Sequence, residues 1–433
     1  MKQVNVGIIG FGTVGAGTAE ILLKNREIIA KRTGLDLVLK RVADLDLETD
    51  RGVELPAGVL TNDTAGLLND PDIDIVVELI GGLTTAKEFI STALKNGKHV
   101  VTANKALLAE HGRELYEISS QMGATLAYEA AVGGGMPVVG ALRDGLAANN
   151  TMTIMGILNG TSNYILTRMA MDGLPYEDAV NGAIRLGYAE DPPTLDVDGT
   201  DAAHKLAILI SLAYGVPAPF ENIYREGIDK LTQEDILFAD EFGYCIKLLT
   251  VARNLGDEVE ARVHPAMLPK GHILSNVNEA FNAVFIEGDY VGPTLYYGQG
   301  AGRNPTGSAV VSDIMAIAKK IKTGSYRTAY PLGFADSTGQ AVNIQSMQDL
   351  KTAYYFRFSA LDKPGVLSKI AGILGEKNIS ISSVIQKGRD TDGAVPIVML
   401  THEAYERDVT AALERIDQFD VLRDKTMMIR VMG

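Results

Sequence analysis

Between Glu190 and Lys205 the chain reads EDPPTLDVDGTDAAHK, sixteen residues that place five carboxylates and one lysine ahead of an apolar helical pattern. Acids grouped around one amine suit a small polar site, able to hold an ammonium or hydroxyl and to move a proton. Asp201 and Lys205 stand four residues apart, so on a helix they share a face while Leu206, Leu209 and Ile210 turn toward a core. Reduction of a carbonyl needs hydride at carbon and a proton at oxygen. A lysine beside an acid becomes a proton donor once burial brings its pKa toward the working pH. A surface ion pair is the commonest explanation of this spacing. Here, however, Glu190, Asp196, Asp201 and Lys205 gather around a Pro192-Pro193 break. DVDGTD is not a calcium loop: with Asp196 as first position, the twelfth is Ala207 and no bidentate glutamate stands there. The six histidines show no zinc spacing, and His204 reads as a helix-surface or packing residue.

Other elements must supply the hydride. The apolar run VNVGIIG leads into GFGTVG, reading as strand, turn and helix, the helix expected from Thr13 to about Thr33. In a dinucleotide fold the first glycine allows the tight turn, the second lets backbone approach the pyrophosphate, and the third lets helix and strand pack closely. Gly10, Phe11, Gly12, Thr13, Val14 and Gly15 are therefore expected to bind a cofactor. A second strand, Leu35 to Ala43, ends near Lys40, Arg41 and Asp44, mixed signals for NAD or NADP. Ile73 to Ile80 reads as a buried parallel strand, Thr85 to Asn96 as a helix, and His99 to Thr102 as a strand that delivers Lys105 to the ligand side of the sheet.

LAYEAAVGGGMP, from Leu126 to Pro137, reads as a strand with a glycine-rich break. In an extended segment the carbonyls of Val132, Gly134 and Met136 would point one way beside Glu129 and suit one small cation; an interdomain hinge fits the same residues. Thr153 to Leu158 is a strand, and Asn159 to Asn163 open a helix. A helix is expected from Gln233 to Asn254, with Cys245, the single cysteine, as a packing thiol. An aldehyde dehydrogenase working through a thioester would need an activated cysteine, which this position does not offer. The glycine-rich loop Tyr297 to Pro305 precedes a helix near Ser308 to Lys320.

A chain of 433 residues is too long for one core. A net charge of −14 without a dense basic cluster argues against nucleic acid or an anionic membrane as partner, and for a small-molecule substrate. No charged-then-apolar leader stands at Met1 and no apolar run of about 18 residues occurs, so a cytoplasmic protein without a membrane span is expected. The expected fold class is α/β. A Rossmann-type dinucleotide-binding domain covers 1–130. An α+β catalytic and dimerisation domain covers 131–340, its helix 308–320 packing back on the first. A linker at 341–353 precedes a βαββαβ unit at 354–433 that could fold alone.

GFGTVG, VTANK, EAAVGGGMP, NGTSNYIL, GYAEDPPTLDVDGTDAAHKLAIL and GQGAGRNPT together resemble homoserine dehydrogenase in the form with a C-terminal ACT domain, in the family's order and across nearly the whole chain. The resemblance implies NAD(P)H-dependent interconversion of L-aspartate 4-semialdehyde and L-homoserine, in the route to threonine, methionine and isoleucine. It implies Lys205 as proton donor, with Lys105 contacting the cofactor and a candidate to share in proton transfer. Glu190 and Asp201 would bind substrate, with Asp196 assisting, and Gly187, Glu190 and Gly302 would lie along the cofactor. Glu129 with the backbone of Val132, Gly134 and Met136 would hold sodium or potassium. A threonine effector at the ACT domain and a homodimer or homotetramer are implied. With no kinase-like segment before Met1, a monofunctional form is expected. Another semialdehyde reductase, or a catalytically silent amino-acid sensor, remains as an alternative.

Overall fold

A computed structural model describes residues 1–325, 330–335, 339, 341–387 and 393–432; the expected domain ends at 340 and 433 lie outside the described residues. The chain opens with β1 (Lys2–Ile9), α1 (Thr13–Lys24), α2 (Arg26–Thr33), β2 (Leu35–Ala43), β3 (Leu60–Thr61), α3 (Thr64–Asn69) and β4 (Ile75–Glu78). It continues through α4 (Thr84–Lys95), β5 (His99–Thr102), α5 (Lys105–Met122), β6 (Leu126–Ala127), a short α6 (Val138–Gly140) and β7 (Thr151–Ile157). Next come α7 (Gly160–Asp172), α8 (Tyr176–Arg185), α9 (Thr194–Val197), α10 (Thr200–Tyr214), β8 (Tyr224–Arg225), α11 (Gln233–Glu241), β9 (Tyr244–Asn254) and β10 (Val259–Pro269). The last elements are β11 (Phe281–Gly288), β12 (Gly292–Gln299), α12 (Arg303–Thr323), β13 (Lys351–Leu361), α13 (Val366–Glu376), β14 (Ile381–Gln386), β15 (Ala394–Thr401), β16 (Ala404–Tyr405), α14 (Glu406–Ile416) and β17 (Met427–Val431). These form two compact units: Met1–Gly160 with Asp201–Ile223 and Phe281–Val342, and Thr161–Thr200 with Tyr224–Ala280 and Asn343–Gly433.

The first unit holds a parallel sheet in the order β3-β2-β1-β4-β5-β6. Its central strands are apolar on both faces, as a sheet covered by helices on either side demands; IVVE of β4 is buried throughout. The chain leaves β1 toward β2 on one side and later returns to β4 on the other, so a ligand crevice opens beyond their carboxyl ends. The helix expected to reach Thr33 breaks at Asn25, a poor helix former, which ends α1 and starts α2. Helix α12 lies against α1 at a glycine: a Cβ on Gly17 would sit 2.4 Å from the Arg303 carbonyl oxygen. Val310, Ile314 and Ile317 accordingly share one core with Ile8, Ala16 and Ala19. The same unit carries the antiparallel strands β12, β11 and β7.

In the second unit the order after β13 is α13, β14, β15, the two-residue β16, α14 and β17, the expected βαββαβ arrangement with one short strand added, and β13 begins at Lys351 inside the expected linker. The βαββαβ arrangement is not closed on itself. Strand β17 pairs parallel with β10, matching Ala266 to Arg430 and Met267 to Val431, so a four-stranded sheet continues into the β9-β10 hairpin. The helix expected across Gln233 to Asn254 is corrected: α11 stops at Glu241, Gly243 turns left-handed at φ +84°, and β9 follows. The run YCIKLLTVARN is apolar on both faces, a pattern shared by a buried helix and a buried strand.

Candidate functional site

The cofactor loop follows from the topology. Gly10 ends β1 at φ +99°, and a Cβ there would lie 2.8 Å from the Leu79 carbonyl group, so only glycine makes this turn. Gly15 passes so close that a Cβ would stand 2.0 Å from the Gly10 oxygen. A Cβ on Gly12, by contrast, would meet nothing within 4 Å among the described residues, and Gly12 caps α1 without any side-chain bond. The helix N-terminus therefore faces open space with its first N–H groups unclaimed by a cap, a fit for pyrophosphate. Asp44, at the end of β2, accepts the N–H of Phe11 and, at 2.9 Å, that of Asp46. Lys40 is held by Asp70 at 3.0 Å and Asp72 at 2.8 Å, and Arg41 stands 3.7 Å from Asp70. Gly15→Ala should weaken dinucleotide binding by about tenfold or more, equivalent to ~1.4 kcal/mol. Fluorescence titration with NADPH and NADH checks this; unaltered affinity would remove the loop from the cofactor site.

A relay of polar groups sets Lys105. Glu78, buried at the end of β4, accepts the Thr102 hydroxyl at 2.6 Å and the N–H groups of Ile80 and Gly81 at 2.9 and 3.1 Å, and burial raises its pKa. The Thr102 oxygen accepts Asn104 N–H at 3.0 Å, and Asn104 in turn caps α5 through Leu107 N–H at 3.1 Å. Lys105 is thereby the first residue of α5, with its Nζ 3.3 Å from Asp201 Oδ1.

Asp201 and Lys205 lie on α10 and are buried, so the surface-pair explanation does not apply. Lys205 Nζ donates to Asp201 Oδ2 at 2.7 Å and to the Leu158 carbonyl at 2.6 Å, while Asn159 Nδ2 donates to the same Asp201 oxygen at 2.9 Å. Burial alone would raise the Asp201 carboxyl, but the Lys205 and Lys105 ammonium groups outweigh it and hold it well below the usual carboxylate range. Asp201 is thus a fixed anion between two lysines. An ammonium has three N–H donors, and Lys205 uses two of them here. His204 stacks on Phe220 with ring centroids 4.4 Å apart, a packing role. Leu158 and Asn159 were legible only as a strand end and a helix-opening cluster.

The Glu129 segment does not have the expected extended form. Glu129–Ala131 is a 3-10 turn, and Gly133 and Gly134 adopt φ of +71° and +56°. The Glu129 carboxylate accepts the N–H groups of Val139 and Gly140 at 2.8 Å each, and Met136 O accepts Val138 N–H at 2.8 Å. Glu129 N–H donates to Asp313 of α12 at 2.7 Å, and burial pushes the Asp313 carboxyl up to about 7. Sequence reasoning missed Asp313, which stands 184 positions from its partner. Among the described residues no group of three or more His, Cys, Asp or Glu could hold a metal. Gly302, at φ +113°, caps α12.

Gly187, Glu190 and Asp196 belong to the second unit. Gly187 follows α8 at φ +72°, Glu190 is exposed, and Asp196 on α9 is half-buried, its carbonyl accepting the Ser162 hydroxyl at 2.7 Å. Cys245 lies on a strand, half-buried, and burial raises its thiol, the opposite of an activated nucleophile. Lys247 on the same strand is lowered by burial to about 8, but it donates to Asn163 Oδ1, Val277 O and Asn278 Oδ1. All three donors are used, so it serves as a structural tie.

An open parallel sheet whose helix N-terminus is cleared for a pyrophosphate, carried on a unit that also buries a carboxylate-held lysine, defines a nicotinamide-dinucleotide oxidoreductase. Family models agree: "Homoserine dehydrogenase, NAD binding domain" matches residues 10–129, "Homoserine dehydrogenase" 137–315 and "ACT domain" 354–420. The chain belongs to the homoserine dehydrogenase family. It is 44% identical to the homoserine dehydrogenase of Neisseria gonorrhoeae over 431 residues, spanning 100% of this chain and 99% of that one. It is 43% identical to that of Pseudomonas aeruginosa, with 100% and 99% covered. A crystal structure of a homoserine dehydrogenase from Thiobacillus denitrificans superposes with TM-score 0.94 at 44% identity, covering 100% and 99%. A hyperthermophilic archaeal homoserine dehydrogenase in complex with NADPH superposes with TM-score 0.61 at 28% identity, over 74% of this chain and 98% of that one. Among the described residues no helix is long and apolar enough to cross a membrane.

Proposed function

We propose that this chain catalyses the reversible NAD(P)H-dependent reduction of L-aspartate 4-semialdehyde to L-homoserine. The observation that carries the reading is the Lys205 ammonium, fixed by Asp201 and the Leu158 carbonyl, with its third N–H given no acceptor among the described residues. The reduced dinucleotide supplies hydride to the aldehyde carbon. Lys205 gives the proton from Nζ to the aldehyde oxygen as charge develops there, and in the reverse direction the neutral amine takes the hydroxyl proton. Asp201 holds the ammonium in line. Lys105 binds the other Asp201 oxygen and contacts the cofactor.

Asp201 and Glu190 bind the homoserine ammonium and hydroxyl, with Asp196 assisting. Gly10, Phe11, Gly12, Thr13, Val14 and Gly15 hold the pyrophosphate, and Gly187, Glu190 and Gly302 lie along the dinucleotide, which is NADP or NAD. The NADPH bound by the archaeal relative supports the former. Sodium or potassium at Glu129 draws on the carbonyls of Val132, Gly134 and Met136; the buried Glu129 carboxylate supports the reading, since a hard monovalent ion takes oxygen ligands. Threonine binds the ACT domain as effector, and the protein works in the cytoplasm as a homodimer or homotetramer.

The test is homoserine oxidation followed with NADP and with NAD, with and without threonine, in potassium and in choline chloride. Saturable, homoserine-dependent formation of reduced cofactor is expected, and none with either nucleotide would overturn the reading. In the same assay Asp201→Asn should lower kcat/KM for homoserine by about tenfold or more, since Lys205 loses its counter-charge. Wild-type values would take Asp201 out of the substrate site.

A further inference from the structure

We propose that Asn282 is a positioning residue for Lys205, acting through the Leu158 carbonyl; the inference rests on the proton-donor reading of Lys205. The Leu158 oxygen, one residue past β7, accepts twice: from Lys205 Nζ at 2.6 Å and from Asn282 Nδ2 at 2.9 Å. A carbonyl oxygen has two lone pairs, so these donors saturate it and fix its direction. Asn282, on β11, is wholly buried, and its Oδ1 has no hydrogen-bond partner among the described residues. The reverse amide orientation would set Oδ1 against the carbonyl, so Leu158 dictates which end faces it. A buried acceptor left unmet lowers stability, and an apolar residue of similar size would avoid that cost. Such a local conflict belongs where function sets the choice of residue.

A second observation comes from the loop that precedes α12. A Cβ on Gly300 would lie 2.1 Å from Asn282 Nδ2 and 2.2 Å from its Cγ. Gly300 does not have a left-handed φ, so its backbone accepts alanine; the amide excludes a side chain. The glycine in GQGAG thus leaves room for Asn282 to hold the carbonyl on which the Lys205 ammonium rests.

The test is a pair of double-mutant cycles on the full chain, read as kcat and KM for homoserine oxidation, with dinucleotide affinity measured separately. Asn282→Ala should lower kcat by about 10- to 100-fold, as displacement of a reacting group does, with homoserine KM and dinucleotide affinity held within about twofold. In a Lys205→Ala background the same change should add less than about twofold, because its effect passes through Lys205. Gly300→Ala should reproduce the kcat loss by displacing the amide, and should add nothing once Asn282 is alanine. Wild-type kcat in Asn282→Ala, or an equal loss with and without Lys205, overturns the inference alone. Should Asn282→Ala not fold, wild-type kcat in Gly300→Ala overturns it. Wild-type kcat in Lys205→Ala would remove the proton-donor reading and this inference with it.

Discussion

Replacing Lys205 by alanine is expected to lower kcat for homoserine oxidation by about 10²- to 10⁴-fold, the range over which a positioned acid or base contributes, while dinucleotide affinity is unchanged. The side chain is buried on α10, and two of its three donors are taken, by Asp201 and the Leu158 carbonyl. On the proton-donor proposal, truncation loses an interaction with the reacting oxygen and leaves the cofactor loop untouched. Lys105→Ala should behave differently. Its side chain is 40% exposed and its Nζ lies 3.3 Å from Asp201, so a rise in dinucleotide KM should accompany any fall in kcat. Steady-state kinetics on both variants separate the two lysines. A Lys205→Ala enzyme at wild-type kcat would end the proton-donor account.

The second large effect is on stability. Glu406, at the start of α14, is buried, accepts Arg430 Nε at 3.0 Å and Nη2, and takes the Tyr354 hydroxyl at 2.9 Å. Arg430 reaches on to Glu226 at 2.7 Å and to the Tyr224 hydroxyl at 3.2 Å. Burial would lower the Arg430 guanidinium, but Glu406 outweighs it and holds it firmly charged. Strand β17 thus meets β8 through a buried charge network and β10 through parallel pairing. Removing Glu406 leaves the buried Arg430 with Glu226 as its remaining carboxylate partner, so Glu406→Ala should cost about 3 kcal/mol, the lower end for a broken buried pair. Urea unfolding followed by circular dichroism should show the transition of this unit at a markedly lower midpoint. A midpoint unchanged from wild type would mean that the network contributes nothing to holding β17 in place.

Local pattern carried much of this structure. Strands β2 and β5 lie where their apolar runs placed them, and the Asp201–Lys205 pair follows from a spacing of four on a helix. The βαββαβ order was readable from alternation and turn residues. The α11–β9 region was not, because a run apolar on both faces has no period; its one cue was Gly243, where the helix stops. The extended form expected for the Glu129 segment is replaced by a turn with consecutive left-handed glycines, Gly133 and Gly134, a conformation that alternation along a chain does not record. The supports of the lysine were also out of reach. Asn159 and Leu158 stand 42 and 47 positions from their partners, and Asn282 stands 124 from the carbonyl it holds. Such contacts are set by packing, which no short-range spacing records.

The most direct measurement of the central claim is chemical rescue of Lys205→Ala during homoserine oxidation by a series of small primary amines of graded basicity. If Lys205 Nζ moves the hydroxyl proton, rate should return with added amine and rise with amine basicity along a Brønsted line, while homoserine KM stays constant. A loss of kcat that no amine restores, with rate indifferent to amine basicity, would contradict it.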